Sequence, residues 1–229
     1  MNNHLPVVPT SASALSDRSG VTDAVRAQIL ATEHWSLLAT RSMTWNEVFS
    51  RASMFITVLS AAVVALALVA QATAFGPAFR LFALLVLPVV LLVGVTTILR
   101  LGAANADDFG LVIGMNRLRH AYLELAPELD PYFVTGHHDD VAGVFQSYGL
   151  GYHADLGRVL SATPNLVAAI SAVVAGVLGA LLAQLLSASD VDAVVVGVVV
   201  ALVAIIGHVM VVFRAMAGVR NKVRPRFPS

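Results

Sequence analysis

The amino-acid sequence predicts an all-α integral membrane protein, with four transmembrane helices arranged as two hairpins (2+2) and long cytoplasmic helical extensions. Three observations predict it. Hydrophobic residues make up 58% of the 229 residues and charged residues only 12%, whereas soluble domains run about half apolar and about a quarter charged. That leaves too little polar surface to cover a soluble globule, so the surplus apolar surface must face lipid. The charges are also bunched, leaving four uncharged stretches long enough for a ~30 Å hydrocarbon core, which takes roughly 20 residues. No stretch follows the two-residue period of a strand.

Residues 1–21 are rich in Ser, Pro and Asn and lack the basic–apolar–cleavage order of a signal peptide, so a disordered tail is expected. Residues 22–50 read as a cytoplasmic helix continuous with span one. Thr22 can cap it, Asp23 sits in its first turn, and no Gly or Pro interrupts 21–75. Trp35, Leu38, Ser42, Trp45, Phe49, Ala52 and Ile56 recur at alternating three- and four-residue spacing and predict one packed seam. Glu47 and Arg51 are spaced for an ion pair one turn apart.

Residues 51–100 form the first hairpin. Its spans centre on 54–70 and 81–99, and Gly76-Pro77 marks the turn. Pro88 predicts a kink and Gly94 a close helix approach. Residues 101–164 read as a cytoplasmic helical domain. Leu111, Met115, Leu118, Tyr122, Leu125 and Leu129 predict a second seam, which Pro127 and Pro131 end. A short helix is expected over 139–147, capped by the polar run before it, with Gly149, Gly151 and Gly157 loosening the chain beyond. Residues 165–214 form the second hairpin, with spans over 166–186 and 193–213 and a turn at 187–192. Residues 215–229 are a basic cytoplasmic tail.

Orientation follows from the basic residues. The two short turns hold one, Arg80, and the other segments hold thirteen. Basic residues stay on the cytoplasmic side, so both termini and the central domain are expected in the cytoplasm of a multi-pass plasma (inner) membrane protein. Arg214, Arg220, Lys222, Arg224 and Arg226 form a lipid or topology anchor, worth ~1 kcal/mol per residue against anionic lipid.

The chain has no Cys, which excludes disulfides and thiolate chemistry. Zero net charge does not favour nucleic acid. Nothing resembles a P-loop, a dinucleotide-binding loop, a nucleophile elbow or a paired-carboxylate site, so neither an enzyme nor a cofactor is expected. His137-His138-Asp139-Asp140 is the densest polar cluster. Neighbours on a helix point about 100° apart, so a solvated capping turn competes with a metal site that would have to recruit His153 and Asp155. His208, the one ionisable group inside the spans, is a candidate for proton relay or pore lining, or for a hydrogen bond between helices. Ala168, Ala172, Gly176 and Ala180 predict a helix-contact face, with a weaker match in Ala193, Gly197 and Ala201. Such a face can also border water. Ser53, Thr57, Ser60, Thr96 and Thr97 can return their hydroxyls to backbone carbonyls or line a hydrated path.

The segments 31–47 (ATEHWSLLATRSMTWNE), 111–119 (LVIGMNRLR) and 131–136 (PYFVTG) resemble uncharacterised four-span proteins of actinobacterial type. The element order over 22–126 is similar to the SLATT family, two-span proteins proposed as membrane effectors or pores in bacterial conflict systems. The second hairpin departs from that two-span pattern, and no functional residue carries over. The expectation is an oligomeric membrane protein, a pore or ion channel with a helical cytoplasmic collar. The alternative is a membrane-anchored scaffold that recruits a cytoplasmic protein partner through its seams.

Overall fold

A computed structural model describes residues 21–149, 163–222 and 224–229. These residues are helical with no strand: α1 (Asp23–Thr73), α2 (Pro77–Leu125), a 3₁₀ turn (Pro127–Tyr132), α3 (Val141–Ser147), α4 (Thr163–Leu185) and α5 (Asp190–Lys222). The tail expected over 1–21 lies, apart from Val21, outside the described residues, as do Gly151, His153, Asp155 and Gly157.

The local signals act where their chemistry places them. Thr22 caps α1, its Oγ1 accepting from the Val25 N–H at 3.4 Å. Ala74 ends α1 in the left-handed region, and Pro77 opens α2 directly after Gly76. α2 stops at Leu125, ahead of Pro127. Asp140 caps α3 by accepting from the Gly143 N–H at 2.8 Å, which starts that helix two residues later than expected. Ser189 and Asp192 form a reciprocal cap on α5, with the Asp192 N–H donating to Ser189 Oγ at 3.2 Å and the Ser189 hydroxyl to Asp192 Oδ2 at 2.7 Å.

Length separates the helices into two kinds. α1 has 51 residues and α2 has 49, so each runs about 75 Å at ~1.5 Å per residue. The hydrocarbon core is only ~30 Å thick, so both extend far beyond any bilayer they cross. α4, at 23 residues, is just long enough to cross one. Four helices are long and apolar enough to span a membrane, and within the chain only 17, 28, 33 and 6% of their most apolar windows is buried, in the order α1, α2, α4, α5. The remaining apolar surface faces outward, as lipid requires.

α1 packs along α2, α2 packs against α4, and α4 packs against α5. The four form an open row with α5 at the outside. Phe55 is fully buried at the centre of the core, among Val48 and Ala62 of α1, Leu87, Val90 and Leu101 of α2, and Val167 and Val174 of α4.

The seam on α1 has the expected period but a different register. The packed face carries His34, Leu37, Arg41, Trp45, Val48 and Phe55, whereas Trp35, Leu38, Ser42, Phe49 and Ile56 are exposed. One residue along a helix rotates the face by about 100°, so most of the expected seam points outward. Apolar periodicity could not register that the inner face is held partly by polar pairs. The second seam sits closer to expectation: Met115 is buried, Leu111, Leu118, Tyr122 and Leu125 are half-buried, and only Leu129, in the 3₁₀ turn, is exposed.

Candidate functional site

The stalk formed by α1 and α2 beyond the apolar spans contains three polar nodes. The first nears the end of the apolar spans. Glu47 accepts from Arg51 Nε at 2.9 Å and from Arg100 Nε and Nη2 at 2.9 and 2.6 Å, tying α1 to α2. The hydrogen bonds from Arg100, then those from Arg51, hold its carboxyl down to about 2. The expected pair of Glu47 with Arg51 is present, and Arg100 joins it.

The second node is Asp108, buried on α2. Its Oδ1 accepts from Arg41 Nε at 2.7 Å and Trp45 Nε1 at 3.0 Å, and its Oδ2 accepts from the Tyr148 hydroxyl at 2.6 Å and Arg41 Nη2 at 3.3 Å. Four donor groups on three residues satisfy one carboxylate, which is what a buried charge requires. The hydrogen bond that Arg41 donates to Asp108 raises the Arg41 pKa against its own desolvation, and burial, then the bond to Asp108, raises that of the Tyr148 phenol.

The third node lies at the far end of the stalk, where residues 133–140 fold back on α2. Buried Asn116 donates from Nδ2 to the His138 carbonyl at 2.7 Å and accepts on Oδ1 from Arg119 Nη1 at 2.7 Å and the Ser147 hydroxyl at 2.8 Å. Arg119 has no carboxylate partner among the described residues, and burial, followed by the nearby charge of Arg41, lowers its pKa. Asp139 is fully buried and pairs with Arg117 at 2.6 Å. Residues 224–229 lie against this node. The N–H groups of Arg226 and Phe227 donate to the Asp139 carboxylate, and Phe227 stacks on His120 with ring centroids 4.1 Å apart.

The predicted site residues divide accordingly. His137 and His138 stand with ring centroids 4.2 Å apart, beside His120 at 6.2 and 6.4 Å. Among the described residues no group of three or more His, Cys, Asp or Glu is placed to hold a metal ion. Asp140 does cap a helix, as a capping turn predicts, and His137, His138 and Asp140 are partly exposed while Asp139 between them is fully buried. His208 Nε2 is 3.1 Å from Asn165 Oδ1, so the imidazole bridges α5 to the start of α4. Ala168, Ala172 and Gly176 are buried and Ala180 is half-buried. A methyl added at Gly176 would stand 2.7 Å from the Gly197 carbonyl oxygen, and one at Gly197 would stand 3.1 Å from Ala180 Cβ, so this face is filled by α5. Gly94 meets Phe55 and Ser171 in the close approach expected of it. The hydroxyls of Thr57, Thr96 and Thr97 return to the carbonyls of Ser53, Leu92 and Val93 at 2.7–2.9 Å. In the tail, Arg214, Arg224 and Arg226 are exposed, while the side chains of Arg220 and Lys222 lie outside the described residues.

Sequence reasoning missed Asp108, Asn116, Arg117 and His120. A signal for Asp108 was present. It lies three residues before Leu111 and seven before Met115, in the register of the second seam, where a charged residue needs partners.

No family model, curated protein or solved structure matches the chain.

Proposed function

We propose that the protein is a homo-oligomer of the plasma membrane, whose copies meet along the outer face of α1 and enclose a passive conduit between them. In this reading the paired stalks of α1 and α2 form a cytoplasmic collar. One observation carries it. Trp35 and Met43 are 71% and 73% exposed, with Leu38 and Phe49 also exposed, on the part of α1 that runs beyond its apolar span. Lipid cannot cover them there, and an exposed apolar face on a water-facing helix marks an interaction surface. The face continues into the span through exposed Ser53, Thr57 and Ser60.

Two features support several copies rather than one. Among the described residues the four long helices pack in an open row, not around a shared axis, and the small-residue face of α4 meets α5 at Gly176 and Ala180. His208 is the one ionisable group in the spans, and coupled carriers need more. The likeness of element order over 22–126 to SLATT proteins fits the same reading.

The test is the mass and image of nanodisc-extracted particles, with ion flux measured in reconstituted vesicles. A closed ring with an axial opening and a measurable flux is expected. Trp35→Ala with Phe49→Ala should break the ring while the single chain stays folded, since both side chains are exposed. A monomer without flux overturns the proposal. It would favour a scaffold that recruits a cytoplasmic protein on the same face, a reading supported by the span hydroxyls closing on their own helices.

A further inference from the structure

Residues 224–229 are bound much as a peptide ligand is bound. The Arg226 N–H donates to both Asp139 oxygens at 3.0 and 2.9 Å, and the Phe227 N–H donates to Oδ1 at 2.8 Å. The Asp139 N–H donates back to the Phe227 carbonyl at 3.2 Å. Asp140 Oδ2 accepts from the Ser229 N–H at 3.0 Å and from its hydroxyl at 2.8 Å, while Arg117 Nη2 donates to the Arg224 carbonyl at 3.4 Å. His120 supplies the stacking face for Phe227. Apart from the Ser229 hydroxyl, all these polar contacts are made to the backbone of the segment. The guanidinium groups of Arg224 and Arg226 are therefore left exposed, and no described carboxylate pairs with them.

We propose that Arg117, His120, Asp139 and Asp140 form a docking site for an extended basic peptide, occupied by the chain's own residues 224–229, and that anionic lipid headgroups compete for that segment through Arg224 and Arg226. The inference rests on the stalk standing on the same side of a bilayer as the segment. It does not depend on oligomerisation or on a conduit.

The geometry makes the two positions exclusive. Arg117 lies seventeen residues beyond Arg100, where the second apolar span ends, about 25 Å along a helix at ~1.5 Å per residue. An anionic surface potential decays over ~8 Å at physiological ionic strength. Docked on Asp139, the segment is out of reach of the bilayer; laid on the bilayer, it is out of reach of Asp139. Recognition through the backbone leaves both guanidinium groups unused by the site, and once the segment reaches anionic lipid each adds about fivefold to partitioning. The two carboxylates, in turn, favour a basic segment over an acidic one. The site thus ties the end of α5 to the far end of α2 in neutral lipid and releases it in anionic lipid.

The absence of Cys makes site-specific labelling direct. Glu128→Cys and Pro228→Cys, both at exposed positions, take spin labels on the full chain, diluted into excess unlabelled protein so that only distances within one chain are read. In phosphatidylcholine nanodiscs a single short, narrow distance is expected. In phosphatidylserine nanodiscs a second, longer population should appear, and it should vanish with Arg224→Gln and Arg226→Gln or at high salt. Phe227→Ala with Ser229→Ala, which leaves the site residues untouched, should broaden the distance even in neutral lipid. One unchanged short distance in every lipid overturns the competition. A broad distribution in neutral lipid, or no response to the Phe227 and Ser229 changes, overturns the site.

Discussion

Asp108 is a buried carboxylate whose four hydrogen bonds come from Arg41, Trp45 and Tyr148. Asp108→Asn keeps the shape but places an amide donor among donors and leaves Arg41 without its counter-charge. Breaking a buried pair costs ~3–5 kcal/mol, and the low end, about 3 kcal/mol, applies because the Arg41 side chain is 30% exposed. Tyr148→Phe removes one bond to the same carboxylate and should cost about 1.5 kcal/mol. Chemical unfolding of the detergent-solubilised protein ranks the two, and equal losses would mean that the charge pair adds nothing beyond the phenol. A second residue-scale prediction concerns His137. Burial first, then the charges of His138 and His120, lower its pKa below 6.5, with Asp130 opposing. A group that binds its proton less readily when folded favours the unfolded chain as pH falls through 6.5 toward the lowered value. Glu47, held to about 2 against an ordinary 4.5, contributes stability that is complete above pH 4.5 and is lost progressively as pH falls from there through 2. The melting temperature should therefore drop between pH 7 and 5, before Glu47 titrates, and His137→Gln should flatten that slope. An identical slope in the variant would remove His137 as its source.

Helices α4 and α5 meet backbone to backbone. Gly176→Val would drive side-chain atoms into the Gly197 carbonyl and Ala201. Overpacking of this kind costs ~1–3 kcal/mol, read as a lowered unfolding midpoint in detergent. A methyl added at Gly207, on the same α5, would meet nothing within 4 Å, so Gly207→Ala should leave the midpoint unchanged. If both variants behave alike, the close approach of α4 and α5 is wrong. This face was legible in the sequence because small residues four apart let two backbones approach, and Gly176 and Ala180, two of the four residues of that pattern, stand against α5. The helix ends at Thr22, Gly76-Pro77 and Pro127 were legible for the same reason: caps and prolines act locally. The register of α1 was not. Trp35, Leu38, Phe49 and Ile56 carry the period on the outside, and the inside is set by Arg41 and Trp45 reaching an aspartate 67 and 63 residues away. The docked segment was invisible for the same physical reason, since its contacts run from its backbone to Asp139, 87 and 88 residues distant.

Four crossings, one for each helix long and apolar enough to span, would return the chain to the side on which it began, so the proposed crossing order sets the placement of every soluble part. The short turns near Gln71 and Ser187 hold Arg80 as their one basic residue, and the stalk and tail hold most of the rest. Translocating that many arginines is unfavourable, and on that ground the proposed orientation has the turns outside and the stalk inside. The stalk's length sharpens the test, because an inverted protein would expose some 40 Å of α1 and α2 to the exterior by the ~1.5 Å helical rise. Single cysteines answer directly. An impermeant maleimide on intact cells should label Gln71→Cys and Ser187→Cys, and should reach Ser42→Cys and Glu128→Cys only after permeabilisation. The opposite pattern would invert the protein and place the docking site at Asp139 and Asp140 beyond the reach of cytoplasmic lipid. Labelling Ser42 and Ser187 from the same side would break the two-hairpin crossing itself. One of α1, α2 and α4 would then lie outside the bilayer with nothing to cover the apolar surface that the chain leaves unburied, so the labelling result also decides whether that surface faces lipid.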